Sequence, residues 1–327
     1  MKKRRIFLLF MLGILLFLLC ACRNNESDQK NIYTVTFHYD YLRTSKIVKV
    51  EEGNPVSMPN DPIRENYIFI GWFTDSVYGS RFDFSQDITE NTDLYPRFEL
   101  DAASLTNEIT QNVMQSIVKI ECRSYQTFLG IPHSYTDWSQ GSGFCFSAGN
   151  GYYYILTNCH VASKHPDYDR VEIKIWDYKG NEYKGYLYKN PNKNHDAVSA
   201  EYDLSCVYFQ SKSTEVTPLT IAGNNPTEKD DVISLGSPKA QTNAITFGKV
   251  NGYRAISLDD TPAYESNVTF SVICHSAKIN GGSSGGPLLS SDLQVVGVNY
   301  AANQGSSLYY AIPAEKIQEF LRNYVYN

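Results

Sequence analysis

Three short segments of this 327-residue sequence carry residue types that could share one reaction. In Leu156-Thr157-Asn158-Cys159-His160-Val161 a histidine falls just past the end of an apolar run. In Tyr202-Asp203-Leu204-Ser205-Cys206-Val207 an acid comes immediately before alternating residues. In Asn280-Gly281-Gly282-Ser283-Ser284-Gly285-Gly286-Pro287-Leu288 two serines are embedded in glycines. Each alone has a plain explanation: a structural hydrogen-bonder, a solvated strand edge, a loop. The third resists its explanation, because a flexible linker would not run through Gly-Pro-Leu-Leu straight into a buried strand. A serine hydroxyl attacks an acyl carbon only if a base takes its proton, and the resulting oxyanion needs N–H donors already in place. Gly282 has access to backbone angles closed to other residues, which lets its N–H converge with that of Ser284. His160, with an ordinary pKa of ~6.5, is the base, and Asp203 holds its other ring nitrogen. Asp196 is a rival acid, but no alternating strand follows it directly.

The elements that must position these groups read mainly as strands. Tyr 25 and Phe 16 are high counts that suit half-buried sheet surfaces. Strand-like runs fall at 116–122, 141–146, 152–156, 171–176, 182–187, 204–209, 232–235, 268–273 and 295–300. Gly149-Asn150-Gly151 and Lys179-Gly180-Asn181 mark hairpins between neighbouring runs. Many short strands with regular turn signals predict a sandwich or barrel rather than βαβ units. Only the end has helical spacing, at Ile317, Phe320 and Leu321, with Pro313 at an allowed first turn. A helical turn is also expected near Leu105–Met114, within a polar linker over 101–112.

The chain order His, Asp, Ser is that of chymotrypsin, distinct from the subtilisin and α/β-hydrolase orders. With it, Gly141-Ser142-Gly143-Phe144, Thr157-Asn158-x-His160-Val161, Asp203-Leu204, Ile279-Asn280-x-Gly282-x-Ser284-Gly285-Gly286-Pro287-Leu288 and Tyr310-Ala311-Ile312-Pro313 occur in order. Residues 113–327 thus resemble a trypsin-like serine peptidase of the HtrA-type bacterial branch. The resemblance implies a double β-barrel, endopeptidase action on polypeptide substrates, and no metal or other cofactor. It assigns His160 as base, Asp203 as orienter, Ser284 as nucleophile, and Gly282 with Ser284 as oxyanion donors. Asn280, Gly281, Asn299 and Tyr300 are expected to wall the primary substrate pocket. Lys278 is near enough to raise acidic specificity, but a surface lysine is the plainer reading. Two departures stand out: Ser283 replaces the aspartate that precedes the nucleophile in zymogen-type trypsins, and Cys159 precedes the histidine rather than following it. Activation by a freed amino terminus and the familiar active-site disulfide are therefore not expected.

Upstream, Lys2 to Arg5 form a basic head and Ile6 to Leu19 an apolar run of fourteen residues. At ~1.5 Å per residue that run is too short for a bilayer core of ~30 Å and suits a signal peptide over 1–21. Leu19-Cys20-Ala21-Cys22 resembles a bacterial lipobox, which implies lipid on Cys22 and an extracytoplasmic, membrane-anchored protein; ordinary secretion is the alternative. Residues 22–32 read as a tether. Residues 33–100, with Gly71-Trp72-Phe73, Phe82-Asp83-Phe84 and Leu94-Tyr95, resemble an internalin-type B-repeat (Listeria–Bacteroides repeat), a small β-grasp-like module serving as spacer or ligand-binding element. Trp72 and Tyr95 are expected in its core.

Composition closes off other classes. The chain carries a net charge of -6, and its first 21 residues hold four positive charges and no acids, so the remainder sums to -10. Such a body repels a phosphate backbone, which argues against nucleic acid as a partner. Cys122, Cys145, Cys159, Cys206 and Cys274 are odd in number and lack a CxxC pair, so buried thiols are expected rather than disulfides or zinc. Two other classes stay open: a surface scaffold that keeps the barrel without catalysis, and an esterase using the same triad.

Overall fold

A computed structural model describes residues 30–39, 43–77, 79–212, 214–237, 244–256, 258, 261–302 and 307–326. The signal segment and Cys22 lie outside the described residues. The chain divides into two compact units, Met1–Glu99 and Leu100–Asn327.

The first unit is a four-stranded sheet of β1 (Ile32–Tyr39), β2 (Thr44–Glu51), β3 (Tyr67–Phe73) and β4 (Thr92–Leu100), in the order β2-β1-β4-β3. β1 pairs antiparallel with β2 and parallel with β4. Alternation along β1 sends Val35 and Phe37 into a core with Trp72 and Leu94. Trp72 packs edge-on against Phe37 and Tyr39, at 4.9 and 5.3 Å between ring centres. Trp72 is core as expected, but Tyr95 is not. Leu94 takes the inward position on β4, so the next residue faces the other way and stacks on the His38 ring at 4.5 Å.

The second unit opens with helix α1 (Ala102–Glu108), capped by the Asp101 side chain, which accepts from Ser104 N. Its helical path continues to Ser116. The polar linker expected over 101–112 is corrected here. Leu105 and Ile109 are buried on one helical face and join the main core, while the polar residues that suggested a linker face solvent.

Thereafter come β5 (Ile117–Phe128), β6 (Ile131–Tyr135), β7 (Ser139–Gly149), β8 (Tyr152–Thr157), β9 (Arg170–Trp176), β10 (Glu182–Leu187), β11 (Val198–Ser199) and β12 (Leu204–Gln210). The sheet order β10-β9-β5-β7-β8-β12 closes on itself because β10 also pairs with β12. Asn150 and Gly151, at φ 53° and 79°, make the two-residue turn between β7 and β8 that Asn-Gly predicts. The interior is filled by alternating positions, such as Val118, Ile120 and Cys122 of β5 and Val207 and Phe209 of β12.

A second closed barrel follows: β13 (Asp231–Gly236), β14 (Ala244–Arg254), β15 (Val272–His275), β16 (Pro287–Ser290), β17 (Val295–Ala302) and β18 (Tyr309–Pro313), in the order β13-β14-β15-β18-β17-β16. The outward faces of both barrels meet in a shared core. Phe144, Leu156 and Cys206 come from the first barrel, Leu235, Cys274 and Val298 from the second. Helix α2 (Ala314–Phe320) covers this core with Ile317 and Phe320. Pro313 is its N-cap, one residue before the first turn. The fold is therefore mainly β, two six-stranded barrels and a separate small sheet. The strand expected over 268–273 is real only from Val272. All five described cysteines are free and buried.

Candidate active site

His160 lies in a turn just past β8, where the Val161 and Ala162 N–H groups donate to the Asn158 carbonyl. Asp203 ends a turn closed by its own N–H donating to Ala200 O, and it immediately precedes β12. β8 and β12 are ladder neighbours, with Thr157 opposite Ser205, so their ends place the two side chains together. His160 Nδ1 is 2.7 Å from Asp203 Oδ2, and a carboxylate acceptor there requires the proton on Nδ1. The other carboxylate oxygen, Oδ1, accepts from the His160 backbone N–H at 3.0 Å. Asn158 Nδ2 donates to Asp203 O at 2.9 Å. Asp203 is held at φ +46°, uncommon for a residue with a side chain, by this convergence of bonds.

Asp203 is fully buried and the His160 side chain is 18% exposed. Burial alone would lower the His160 pKa. The charge and hydrogen bond of Asp203 outweigh it, with a smaller contribution from Glu265, and the net direction is up. Asp196, the rival acid, is exposed, and its backbone carbonyl meets the neighbouring His195 ring at 3.1 Å, whereas Asp203 holds His160.

The serine-bearing loop comes from the second barrel, between β15 and β16. Gly282 and Gly285 adopt φ +93° and +84°. Within the loop, the N–H groups of Ser283, Gly285 and Gly286 donate to Asn280 O, Asn299 O and Ser283 O. The N–H groups of Gly282 and Ser284 donate to no acceptor among the described residues. Two unspent donors thus flank Ser283, the kind of group that holds an oxyanion.

Ser142 of β7 docks this loop onto the first barrel, a role that sequence reading missed. Its N–H donates to Ser284 O at 2.8 Å and its hydroxyl donates to Gly282 O at 2.7 Å. The same hydroxyl accepts from Ser237 N, and Ser142 O accepts from Thr157 Oγ1 at 2.7 Å. The only available signal was a small polar residue between two glycines.

Close packing shows how near the halves lie. A Cβ on Gly141 would fall 2.5 Å from a Val161 methyl and 2.8 Å from Ser284 O. One on Gly285 would fall 2.2 Å from Ser142 O and 3.1 Å from Asn158 N. The serine loop and the histidine turn therefore abut. Ser284 Oγ forms no hydrogen bond among the described residues.

The expected pocket residues divide. Asn280 and Gly281 are exposed at the mouth of the loop. The side chains of Asn299 and Tyr300 are buried. Asn299 Nδ2 donates to Ser234 Oγ at 3.0 Å and Leu235 O at 3.2 Å, tying β17 to β13. The Tyr300 hydroxyl pairs with Ser266 Oγ at 3.2 Å. Their place in the pocket wall, expected from the resemblance, would then be through the β17 backbone rather than through these side chains. Lys278 is exposed, and its carbonyl accepts from Thr246 Oγ1.

Comparison with known proteins agrees with this architecture. Residues 141–298 match the trypsin-like peptidase domain, and residues 33–96 match the Listeria-Bacteroides repeat domain. The chain thus carries a trypsin-like peptidase domain preceded by one such repeat. It is 28% identical over 216 residues to the mitochondrial serine protease HTRA2 of Bos taurus, covering 65% of this chain and 42% of that protein. It is 28% identical over 236 residues to the serine protease Do-like HtrA of Bacillus subtilis, covering 68% and 49%. Its second unit is thus similar to HtrA-type serine proteases, and the chain spans less than half the length of each. The active form of the Rv3671c protease of M. tuberculosis shares its fold, with a TM-score of 0.53 at 20% identity over 69% of this chain and 88% of that one.

Proposed function

We propose that this protein is a serine endopeptidase that cleaves polypeptides through an acyl-enzyme. His160 Nε2 takes the Ser284 Oγ proton as the oxygen attacks the scissile carbonyl carbon. The oxyanion is held by the Gly282 and Ser284 N–H groups. His160 then gives the proton to the leaving amine, and water, activated by the same nitrogen, releases the acyl group from Ser284. Asp203 keeps the proton on Nδ1 and stabilises the imidazolium. The observation that carries this reading is the pair of unspent N–H groups at 282 and 284, beside a histidine clamped at ring and backbone by one carboxylate.

The test is labelling of the folded chain with a fluorophosphonate, followed by assay on casein and on short-chain esters. Wild type is expected to label and to cleave casein, while Ser284→Ala and His160→Ala do neither. Equal labelling of Ser284→Ala removes the nucleophile. Labelling with ester turnover but no casein cleavage converts the reading to an esterase, and a folded wild type that never labels leaves a binding scaffold.

We also propose an extracytoplasmic position with lipid on Cys22, supported by the lipobox-like run before it. Wild type is then expected to enter the detergent phase on Triton X-114 partition, and Cys22→Ala the aqueous phase. Wild type in the aqueous phase rejects the anchor.

A further inference from the structure

Among the described residues, both hydrogen bonds between the serine loop and the first barrel are made by Ser142 of β7. Ser142 is fully buried, so water cannot stand in for either bond. Its hydroxyl lies between the Ser237 N–H, at 2.8 Å, and the Gly282 carbonyl, at 2.7 Å. The first can only donate and the second only accept, so the hydroxyl proton is committed to Gly282 O. On its other side, Ser142 O accepts from Oγ1 of Thr157, the last residue of β8 and three positions before His160.

The consequence lies in the peptide planes of the loop. The plane joining Gly282 and Ser283 is held at both edges: its oxygen accepts from Ser142 Oγ, and its N–H donates to Asn280 O at 2.9 Å. The plane joining Ser284 and Gly285 is held likewise, its oxygen by Ser142 N at 2.8 Å and its N–H by Asn299 O at 2.9 Å. The unspent Ser284 N–H belongs to the plane between these two, and the unspent Gly282 N–H to the plane just before them. Each spare donor is therefore aimed by a neighbouring plane that Ser142 grips. Gly282, at φ +93° and with no side chain to restrain it, is the member most dependent on an outside grip.

We infer that Ser142 is a positioning residue whose hydroxyl sets the two N–H groups that receive the oxyanion. Its contribution falls in the transition state and not in substrate binding. This rests on the peptidase reading above and adds to it a residue that touches no reacting atom.

The experiment uses the full chain with Ser142→Ala, and with Ser142→Gly as the second variant. Both keep the N–H that bonds Ser284 O and lose only the hydroxyl. A bond that wild type cleaves in casein is located by mass spectrometry and remade as a fluorogenic peptide. The sequence before that bond is also made as a peptide aldehyde and as the matching alcohol. Ser284 Oγ adds to the aldehyde carbon, and the former carbonyl oxygen then sits where the oxyanion would; the alcohol forms no bond. All values are taken per active site, counted by fluorophosphonate titration. In both variants kcat should fall about 10²-fold, the effect of a displacement near 1 Å, with KM unchanged. Inhibition by the aldehyde should weaken by a similar factor while inhibition by the alcohol stays as in wild type. A role confined to stability would lower the melting temperature and the number of sites but leave the aldehyde-to-alcohol ratio unmoved, and that result overturns the inference. Equal weakening of aldehyde and alcohol overturns it as well, because the loss would then lie in binding. If neither variant folds, the hydroxyl serves folding and the inference is again overturned. A wild type that neither labels nor cleaves casein removes the peptidase reading and this inference with it, an outcome distinct from the other three.

Discussion

The first barrel holds His160 and Asp203 through side chains, whereas the second holds Ser284 through its backbone. On the first side, both oxygens of one carboxylate and the Asn158 amide fix the geometry. On the second, the anchors of the loop are mostly N–H and C=O groups, and glycines stand where a Cβ has no room. The lesson is that the halves fail differently. A side-chain clamp is broken by removing an atom, and a backbone cradle by adding one.

Asp203→Asn attacks the clamp and should have the largest effect, a loss of about 10⁴-fold in kcat/KM, as is general for such triads. Asp203 also holds the His160 pKa above the ordinary histidine value. Wild-type activity should therefore fall as pH drops through a midpoint above ~6.5, and the variant's residual activity should show a lower midpoint. A pH series of kcat/KM checks both. A loss under tenfold would mean that the carboxylate does not orient the base.

Gly285→Ala attacks the cradle. A methyl group there meets Ser142 O at 2.2 Å and Thr157 Oγ1 at 2.3 Å, at φ +84°. The loop must shift, and a displacement near 1 Å costs about 10²-fold in turnover. Gly223→Ala, with nothing within 4 Å of the added Cβ, is the matched control for melting temperature. Gly285→Ala with wild-type turnover would show that the loop is not held as described.

The smallest effect separates the barrels by acid. His275 of β15 is fully buried, and neither ring nitrogen finds a partner, the nearby Ala277 backbone lying outside hydrogen-bond geometry. Burial pushes its pKa down to about 4. Below ~6.5 the unfolded chain takes up a proton that the folded chain refuses. The stability tied to His275 is thus complete above ~6.5 and is lost as pH falls towards 4, on the order of 3 kcal/mol. His160 has the opposite sign: its raised pKa favours the folded state at low pH, and that contribution is lost as pH rises through the folded value. Urea unfolding between pH 4 and 8 should show a flatter acid limb for His275→Leu than for wild type. Parallel curves would place the acid sensitivity elsewhere.

Much of this was legible along the chain, for identifiable reasons. β5 was readable because burial alternates along it, and β8 and β12 because they are short, mainly apolar runs whose ends are buried on both faces. β14, eleven residues long, was missed: nearly all its positions are half-buried or exposed, and Gly248 and Gly252 interrupt it, so no alternation marks it. A helical turn near Leu105–Met114 was legible, but its docking on the core was not, because only a narrow stripe of the segment is apolar. The burial of Asn299 and Tyr300 was not legible, since the register bulge beside Asn299 is invisible before the partner strand is known.

The residue types and their order along the chain determined by themselves what chemistry is available: a base, an acid to orient it, a nucleophile among glycines, and strands to carry them. Those are local properties, written in side-chain chemistry and in the allowed angles of glycine. Only the tertiary structure decided that Ser142 would tie the serine loop to the first barrel and that the Gly282 and Ser284 N–H groups would be left unspent. These are contacts between segments about a hundred residues or more apart, and closing two barrels against one another is what brings them within bonding distance.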